Sequence, residues 1–121
     1  MPHIIIAEDE DDVREFLVRA FRRYAPDAAI TPAPDGRAAL ELLHTHGCDL
    51  LVSDQRMPRL SGAGLLQAVR AEGHQIPFIM ISADTSAELA AHEYGATAFF
   101  YKPLSMLKIR EIIETWLSAR S

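Results

Sequence analysis

Five side chains stand out for what they could do together. They are Glu8 and Asp9 in an acidic run near the start, Asp54 ahead of Met57-Pro58, Ser82, and Lys102 ahead of Pro103. Carboxylates gathered in one crevice repel one another, so they either raise their pKa values or hold a cation. Hard oxygen ligands suit Mg²⁺, which commonly takes one or two carboxylates together with phosphate oxygens. An Asp carboxylate can also attack phosphorus and form an acyl phosphate. Phosphoryl transfer asks mostly for positioning and charge neutralisation, which a divalent ion, the Lys102 ammonium and the Ser82 hydroxyl would supply. The set is complete for phosphorylation of an aspartate.

These residues meet only if the chain brings the ends of its apolar runs to one edge. The runs are His3–Ala7, Ala28–Pro32, Asp49–Ser53, Pro77–Ile81 and Thr97–Tyr101. They predict strands buried on both faces, as in a parallel sheet covered by helices. Between them the period is helical. Val13, Phe16, Leu17, Ala20, Phe21 and Tyr24 form one stripe. Gly36–His46 and Gly62–Glu72 give the second and third helices. Thr85–Tyr94 is alanine-rich and weakly amphipathic, so its packing should be the least secure. Ile109, Ile112, Ile113, Trp116 and Leu117 share a face of the fifth, which should end near Ser121.

Turn signals fall between these segments at Pro34-Asp35-Gly36, Gly47, Gly73, Gly95 and Lys102-Pro103. Five strands alternating with five helices predict an α/β sandwich with right-handed crossovers. A single domain over residues 1–121 is expected, with no output domain in the chain. Ligands of an open parallel sheet bind beyond the carboxyl ends of its strands. There the first strand delivers Glu8, Asp9 and Glu10, the third Asp54, the fourth Ser82 and the fifth Lys102.

Composition narrows the function classes. The 121 residues are 49% hydrophobic and 24% charged, an ordinary globular balance large enough for a real core. The net charge of −5 argues against direct nucleic-acid binding, which needs clustered cations. Arg22 and Arg23, the adjacent basic pair, suit the end of a helix instead. No apolar stretch approaches the roughly 18 residues of a membrane span, and no leader is evident, so a cytoplasmic location is expected. Cys48 is the single cysteine. The five histidines are dispersed, and His44 and His46 do not share a helix face, so no metal is assigned to them. Gly62-Ala63-Gly64 lacks the remainder of a phosphate loop.

In its motifs the chain resembles the response-regulator receiver family of two-component signalling over essentially its whole length. Glu8-Asp9 in Ile4-Ile5-Ile6-Ala7-Glu8-Asp9-Glu10 matches the acidic pair. Asp54 in Leu50-Leu51-Val52-Ser53-Asp54-Gln55-Arg56-Met57-Pro58 matches the phosphoacceptor, with Gly62 following. Ser82-Ala83 matches the switch hydroxyl and the small residue after it, Lys102-Pro103 the lysine and a peptide bond usually cis, and Phe99 the switch aromatic. The resemblance implies a flavodoxin-like sheet of strand order 2-1-3-4-5. It also implies Mg²⁺ held by Asp9 directly, Glu8 through water, Asp54 and the Arg56 backbone carbonyl. The implied phosphoryl donor is a histidine kinase or a histidine phosphotransfer protein. A face formed by the fourth helix, fifth strand and fifth helix would engage a downstream target, the chain acting as a monomer or weak dimer. Glu8 replaces the commoner Asp, Ser82 the commoner Thr and Phe99 the commoner Tyr.

Plainer readings stand beside these. Glu10, Asp11 and Asp12 fit the acidic N-terminus of a helix, with Asp11 or Asp12 near the cap. Lys102 would ordinarily be an exposed loop lysine. For Phe99, a static aromatic and a moving switch remain equally open. Two rival functions also stand: a Mg²⁺-dependent phosphohydrolase with an aspartyl-phosphate intermediate, and a receiver-shaped module that takes no phosphate. The first would want a general acid two positions after Asp54, where Arg56 stands, so a signalling module rather than an enzyme is expected. Arg56 and Asp84 are expected to pair at the mouth of the site and shield an acyl phosphate from water.

Overall fold

The computed structural model describes residues 1–117. Its elements alternate without exception: β1 (His3–Ala7), α1 (Asp11–Tyr24), β2 (Ala29–Ala33), α2 (Gly36–His46), β3 (Leu50–Asp54), α3 (Gly62–Ala71), β4 (Phe78–Ser82), α4 (Ser86–Tyr94), β5 (Ala98–Tyr101) and α5 (Met106–Ile112). A π-helical turn, Ile113–Leu117, continues α5. The end expected near Ser121 lies outside the described residues. All four strand pairings are parallel and the order is β2-β1-β3-β4-β5. This is the flavodoxin-like order that the resemblance implied.

The apolar runs are continuous because alternate residues feed two different cores. Ile4, Ile6, Leu50, Val52, Ile79 and Ile81 face α1 and α5, meeting Leu17, Phe21, Ile109 and Ile112. Ile5, Ala7, Leu51, Phe78 and Met80 face the other way, against Leu43, Leu65, Leu66 and Val69 of α2 and α3. A strand alternates its side chains across the sheet, so a doubly covered strand is apolar on both faces; Ser53, buried in β3, is an exception whose hydroxyl donates to the Asp54 carbonyl at 2.8 Å.

Several boundaries differ from the sequence reading. β2 runs Ala29–Ala33 rather than Ala28–Pro32, β3 Leu50–Asp54 rather than Asp49–Ser53, and β4 Phe78–Ser82 rather than Pro77–Ile81; β5 opens at Ala98 rather than Thr97. Backbone pairing carries on through polar residues that the apolar runs exclude: Asp54 stands opposite Ile81, and Ser82 opposite Tyr101. Asp54 and Ser82 are thus the last residues of their strands and inherit their rigidity. α3 closes at Ala71 instead of Glu72, and α4 opens at Ser86 instead of Thr85.

The α1 stripe is also corrected. Phe16 is exposed and Val18 is buried in its place. The buried arc is centred on Leu17 and Phe21, which puts Phe16 at its margin, beside Pro103 and Leu104. Three helices start on side-chain caps. Asp35 accepts from the Ala38 amide at 2.8 Å, Ser61 from Gly64 at 3.1 Å and Ser105 from Lys108 at 3.0 Å. Each such cap is worth about 1 kcal/mol. α4 has none, and it buries only Ala87 and Ala91. Among the described residues no helix is long and apolar enough to cross a membrane.

Candidate functional site

At the carboxyl edge of the sheet lies an open cleft of about 400 Å³, lined by Asp9, Glu10, Asp54, Arg56, Ser82, Ala83, Asp84 and Lys102. Strand ends build it, as an open parallel sheet requires. Glu8 lies beneath, fully buried, one residue past β1. Carboxylate oxygens of Glu8, Asp9 and Asp54 all fall within 4.8 Å of one another.

Lys102, just past β5, reaches into this cluster. Its Nζ lies 2.7 Å from Glu8 Oε1 and 3.0 Å from Asp54 Oδ2. The peptide bond to Pro103 is cis. Asp54 Oδ1 accepts from the Gln55 amide at 2.7 Å, and Glu8 Oε2 accepts from the Glu10 amide at 3.0 Å. Glu8 Oε1 is different. It is buried and, among the described residues, its close polar neighbour is the Lys102 ammonium.

Burial pushes the Glu8 carboxyl above its usual range; Lys102 and the Glu10 amide pull it down, while the Asp54 charge adds to the rise. For Lys102 burial alone would lower the pKa, but hydrogen bonds and charges from Glu8 and Asp54 outweigh it and raise the value. Three carboxylates face one ammonium, so the cluster carries an excess of negative charge that one cation does not settle.

That imbalance, with three carboxylate oxygens converging, fits a hard divalent cation. Oxygen-only donors of this number suit Mg²⁺, which keeps several waters and therefore tolerates an open cleft. The residues present match the group that the sequence implied.

The remaining predicted residues are placed as follows. Ser82 is buried and lines the cleft, its hydroxyl accepting from the Asp84 amide at 3.0 Å. Ala83 is exposed at the rim. Arg56 Nη2 lies 2.7 Å from Asp84 Oδ2 across the mouth. That guanidinium, with donors from Ser86, holds the Asp84 carboxyl down at about 2. Phe99 stands apart from the cleft, half-buried on the α4 side of β5, edge-on to Tyr101 with ring centres 5.0 Å apart. Glu10 takes the N-cap position of α1 without a side-chain cap bond, and Asp11 and Asp12 form its first turn.

Two residues escaped the sequence reading. Gln55 Oε1 accepts from the Ala63 amide at 2.7 Å and its carbonyl from Gly62 at 2.9 Å, tying Asp54 to the start of α3. Arg14 donates to the backbone carbonyls of Glu8 and Asp9. Both act through main-chain groups, which leave no pattern in residue types.

A family model described as "Response regulator receiver domain" matches residues 4–114. The chemotaxis protein CheY of Pseudomonas aeruginosa is 31% identical over 118 residues, covering 92% of each chain. The response regulator protein PilR of the same organism is 34% identical over 119 residues, covering 97% of this chain and 26% of PilR. Among solved structures, the receiver domain of the Francisella response regulator 1452 superposes with a TM-score of 0.88 at 26% identity, all of both chains being covered. The chain spans less than half the length of the first curated relatives it matches.

Proposed function

Because the chain belongs to the response-regulator receiver family of two-component signalling, we propose that Asp54 accepts a phosphoryl group from a phosphohistidine, with Mg²⁺ held by Glu8, Asp9, Asp54 and the Arg56 carbonyl. The observation that carries this reading is the convergence of the three carboxylates within 4.8 Å, with the Lys102 ammonium at two of them. A bound Mg²⁺ would neutralise charge on the phosphoryl oxygens and screen them from the carboxylates.

The rest falls to the chain's own residues. An Asp54 carboxylate oxygen attacks phosphorus as the phosphorus–nitrogen bond of the donor breaks, and the freed imidazole nitrogen later takes a proton from solvent. Lys102 leaves Asp54 Oδ2 to follow the charge onto the new phosphoryl group. The Ser82 hydroxyl donates to another of its oxygens, and Ala83 leaves the approach open. Ser82 then releases the Asp84 amide, and Phe99 turns inward into the space it leaves. The population shifts towards a form whose α4, β5 and α5 face binds a target. Arg56 and Asp84 shield the acyl phosphate from water. The donor is a histidine kinase or a histidine phosphotransfer protein, and the setting is cytoplasmic.

Acetyl phosphate with Mg²⁺ supplies the test, read by intact mass. A single phosphoryl adduct is expected on the wild type, lost on chelation and lost in Asp54→Asn. No adduct on the wild type, or an undiminished one in Asp54→Asn, would defeat the reading.

A further inference from the structure

The loop from β1 to α1 carries two of the three carboxylates, and the two are not held alike: Glu8 Oε2 accepts from the Glu10 amide at 3.0 Å. Among the described residues, no hydrogen bond or ion pair holds the Asp9 carboxylate itself. Glu10 enters the helix without capping it. Asp9 therefore points where its backbone points.

That backbone is held by the Glu8 amide on the Ala33 carbonyl at 3.0 Å, by the Glu10 amide on Glu8 Oε2 at 3.0 Å and, at its carbonyls, by Arg14, one turn into α1. Its Nη1 donates to the Glu8 carbonyl at 2.9 Å and, at longer range, to the Asp9 carbonyl at 3.4 Å. Its Nη2 is anchored on Asp11 Oδ1 at 2.6 Å. The side chain is only 21% exposed on a surface helix, which strengthens these charge-assisted bonds over those of a solvated arginine. We propose that Arg14 is a positioning residue for the cation site: clamping the Glu8 and Asp9 carbonyls fixes the two peptide planes that aim both carboxylates towards Asp54. This rests on the reading of the site as a Mg²⁺ centre.

Electrostatics alone predicts the opposite sign. A guanidinium beside an acidic cluster repels a second cation, so deleting it should tighten Mg²⁺ binding. Positioning predicts weaker binding on deletion, because ligands freed to wander must be ordered again when the ion arrives. The planar fork, donating in two directions at once, is what a lysine ammonium cannot reproduce. Groups that orient metal ligands typically change metal affinity 10–100-fold when removed.

The test titrates Mg²⁺ calorimetrically into the full chain as wild type, Arg14→Lys and Arg14→Ala, with urea midpoints and amide exchange measured without metal. Arg14→Lys keeps the charge and loses the fork, so it separates geometry from electrostatics. Mg²⁺ affinity is expected to fall about tenfold in Arg14→Ala and by a smaller factor in Arg14→Lys. Exchange should quicken at the Glu10 amide, while the Arg14→Lys urea midpoint stays near that of the wild type. Unchanged or tighter Mg²⁺ binding in the variants overturns the inference and leaves the centre standing. A wild type that binds no Mg²⁺ overturns both the centre and the inference. If Arg14→Ala does not fold, Arg14→Lys decides alone, and unaltered affinity there sinks the idea.

Discussion

The Asp84 amide donates to the Ser82 hydroxyl oxygen at 3.0 Å, so a hydroxyl lining the cleft also braces the segment entering α4. Asp84 passes that brace onward. Its carboxylate accepts from the Ser86 amide at 3.0 Å and from the Ser86 hydroxyl at 2.9 Å, and pairs with Arg56. A phosphoryl oxygen drawing the hydroxyl towards Asp54 would compete with the brace. The helix beyond it is held by two buried alanines, and weakly packed segments of this kind open first.

Replacing Ser82 with Ala therefore removes the acceptor and leaves the Asp84 amide to water. The expected cost is about 1 kcal/mol of stability. Amide exchange should accelerate at residues 84–87 before it changes elsewhere, and adduct formation from acetyl phosphate should slow without stopping. Unaltered exchange in that segment would show that the hydroxyl braces nothing.

Lys102 is the sole cation within reach of two buried carboxylates in the described residues. In Lys102→Met, Glu8 and Asp54 lose their counter-charge and repel each other, which should destabilise the metal-free chain by about 2–4 kcal/mol; the wild-type ammonium is not fully buried, so the upper figure for a buried pair does not apply. Mg²⁺ should restore more stability to the variant than to the wild type, because an ion binding only the folded form stabilises it by mass action. Urea midpoints with and without Mg²⁺ measure both effects. Equal midpoints for the two metal-free proteins would mean that Lys102 does not neutralise the cluster.

Much of this was legible in the sequence because residue type and position in the sheet coincide. Ile4–Ile6 and Ile79–Ile81 have no polar partner position, so both faces had to be covered, and the groups just past or at the strand ends had to share an edge. What was not legible depended on backbone geometry. Pro77 lies just outside β4, although its carbonyl still accepts from Leu51, and nothing in an apolar run marks where pairing stops. Phe16 fits the helical period as well as Leu17 does, yet it lies exposed at the margin of the buried arc. Arg14 and Gln55 bond to carbonyls and amides, groups that every residue carries. The π-helical turn after α5 keeps Ile113 and Leu117 buried without altering the apolar spacing that predicted them.

The Arg56–Asp84 pair gives a pH signature. Bonding from Arg56 and Ser86 lowers the Asp84 carboxyl from 3.8 to about 2 in the folded chain. A depressed folded value means that the stabilisation is present above the unfolded value and is lost as pH falls through the folded one. The pair should therefore persist at neutral pH and fail only near pH 2. Carbon-13 chemical shifts of the Asp84 carboxyl should titrate with a midpoint near 2, and Arg56→Ala should bring it back towards 3.8. A midpoint near 3.8 in the wild type would show that the two side chains do not hold each other across the mouth.

Gly62 opens α3, but its place is set by the site. A Cβ built there would collide with the Asp54 carbonyl oxygen and stand 2.9 Å from the Gln55 Cα. These atoms are backbone and cannot swing aside. The closeness exists because the Gly62 amide donates to the Gln55 carbonyl at 2.9 Å while the Gln55 side chain accepts from Ala63, drawing the helix start against the end of β3. Gly62→Ala removes the flexible residue, which by itself favours a helix, yet it must push α3 and the Gln55 peptide apart. Steric insertion of this kind costs about 1–3 kcal/mol, and here the displacement falls on the residue whose amide holds Asp54 Oδ1. The variant should fold with a lowered urea midpoint and form the acetyl phosphate adduct more slowly than its stability loss alone explains. Gly64→Ala supplies the control, since its Cβ would meet side-chain atoms, Leu60 Cδ1 at 2.7 Å and Ser61 Oγ at 3.4 Å, rather than the backbone at Asp54. If the two variants form adduct at equal rates, the close approach of Gly62 to Asp54 serves packing and not the geometry of the site.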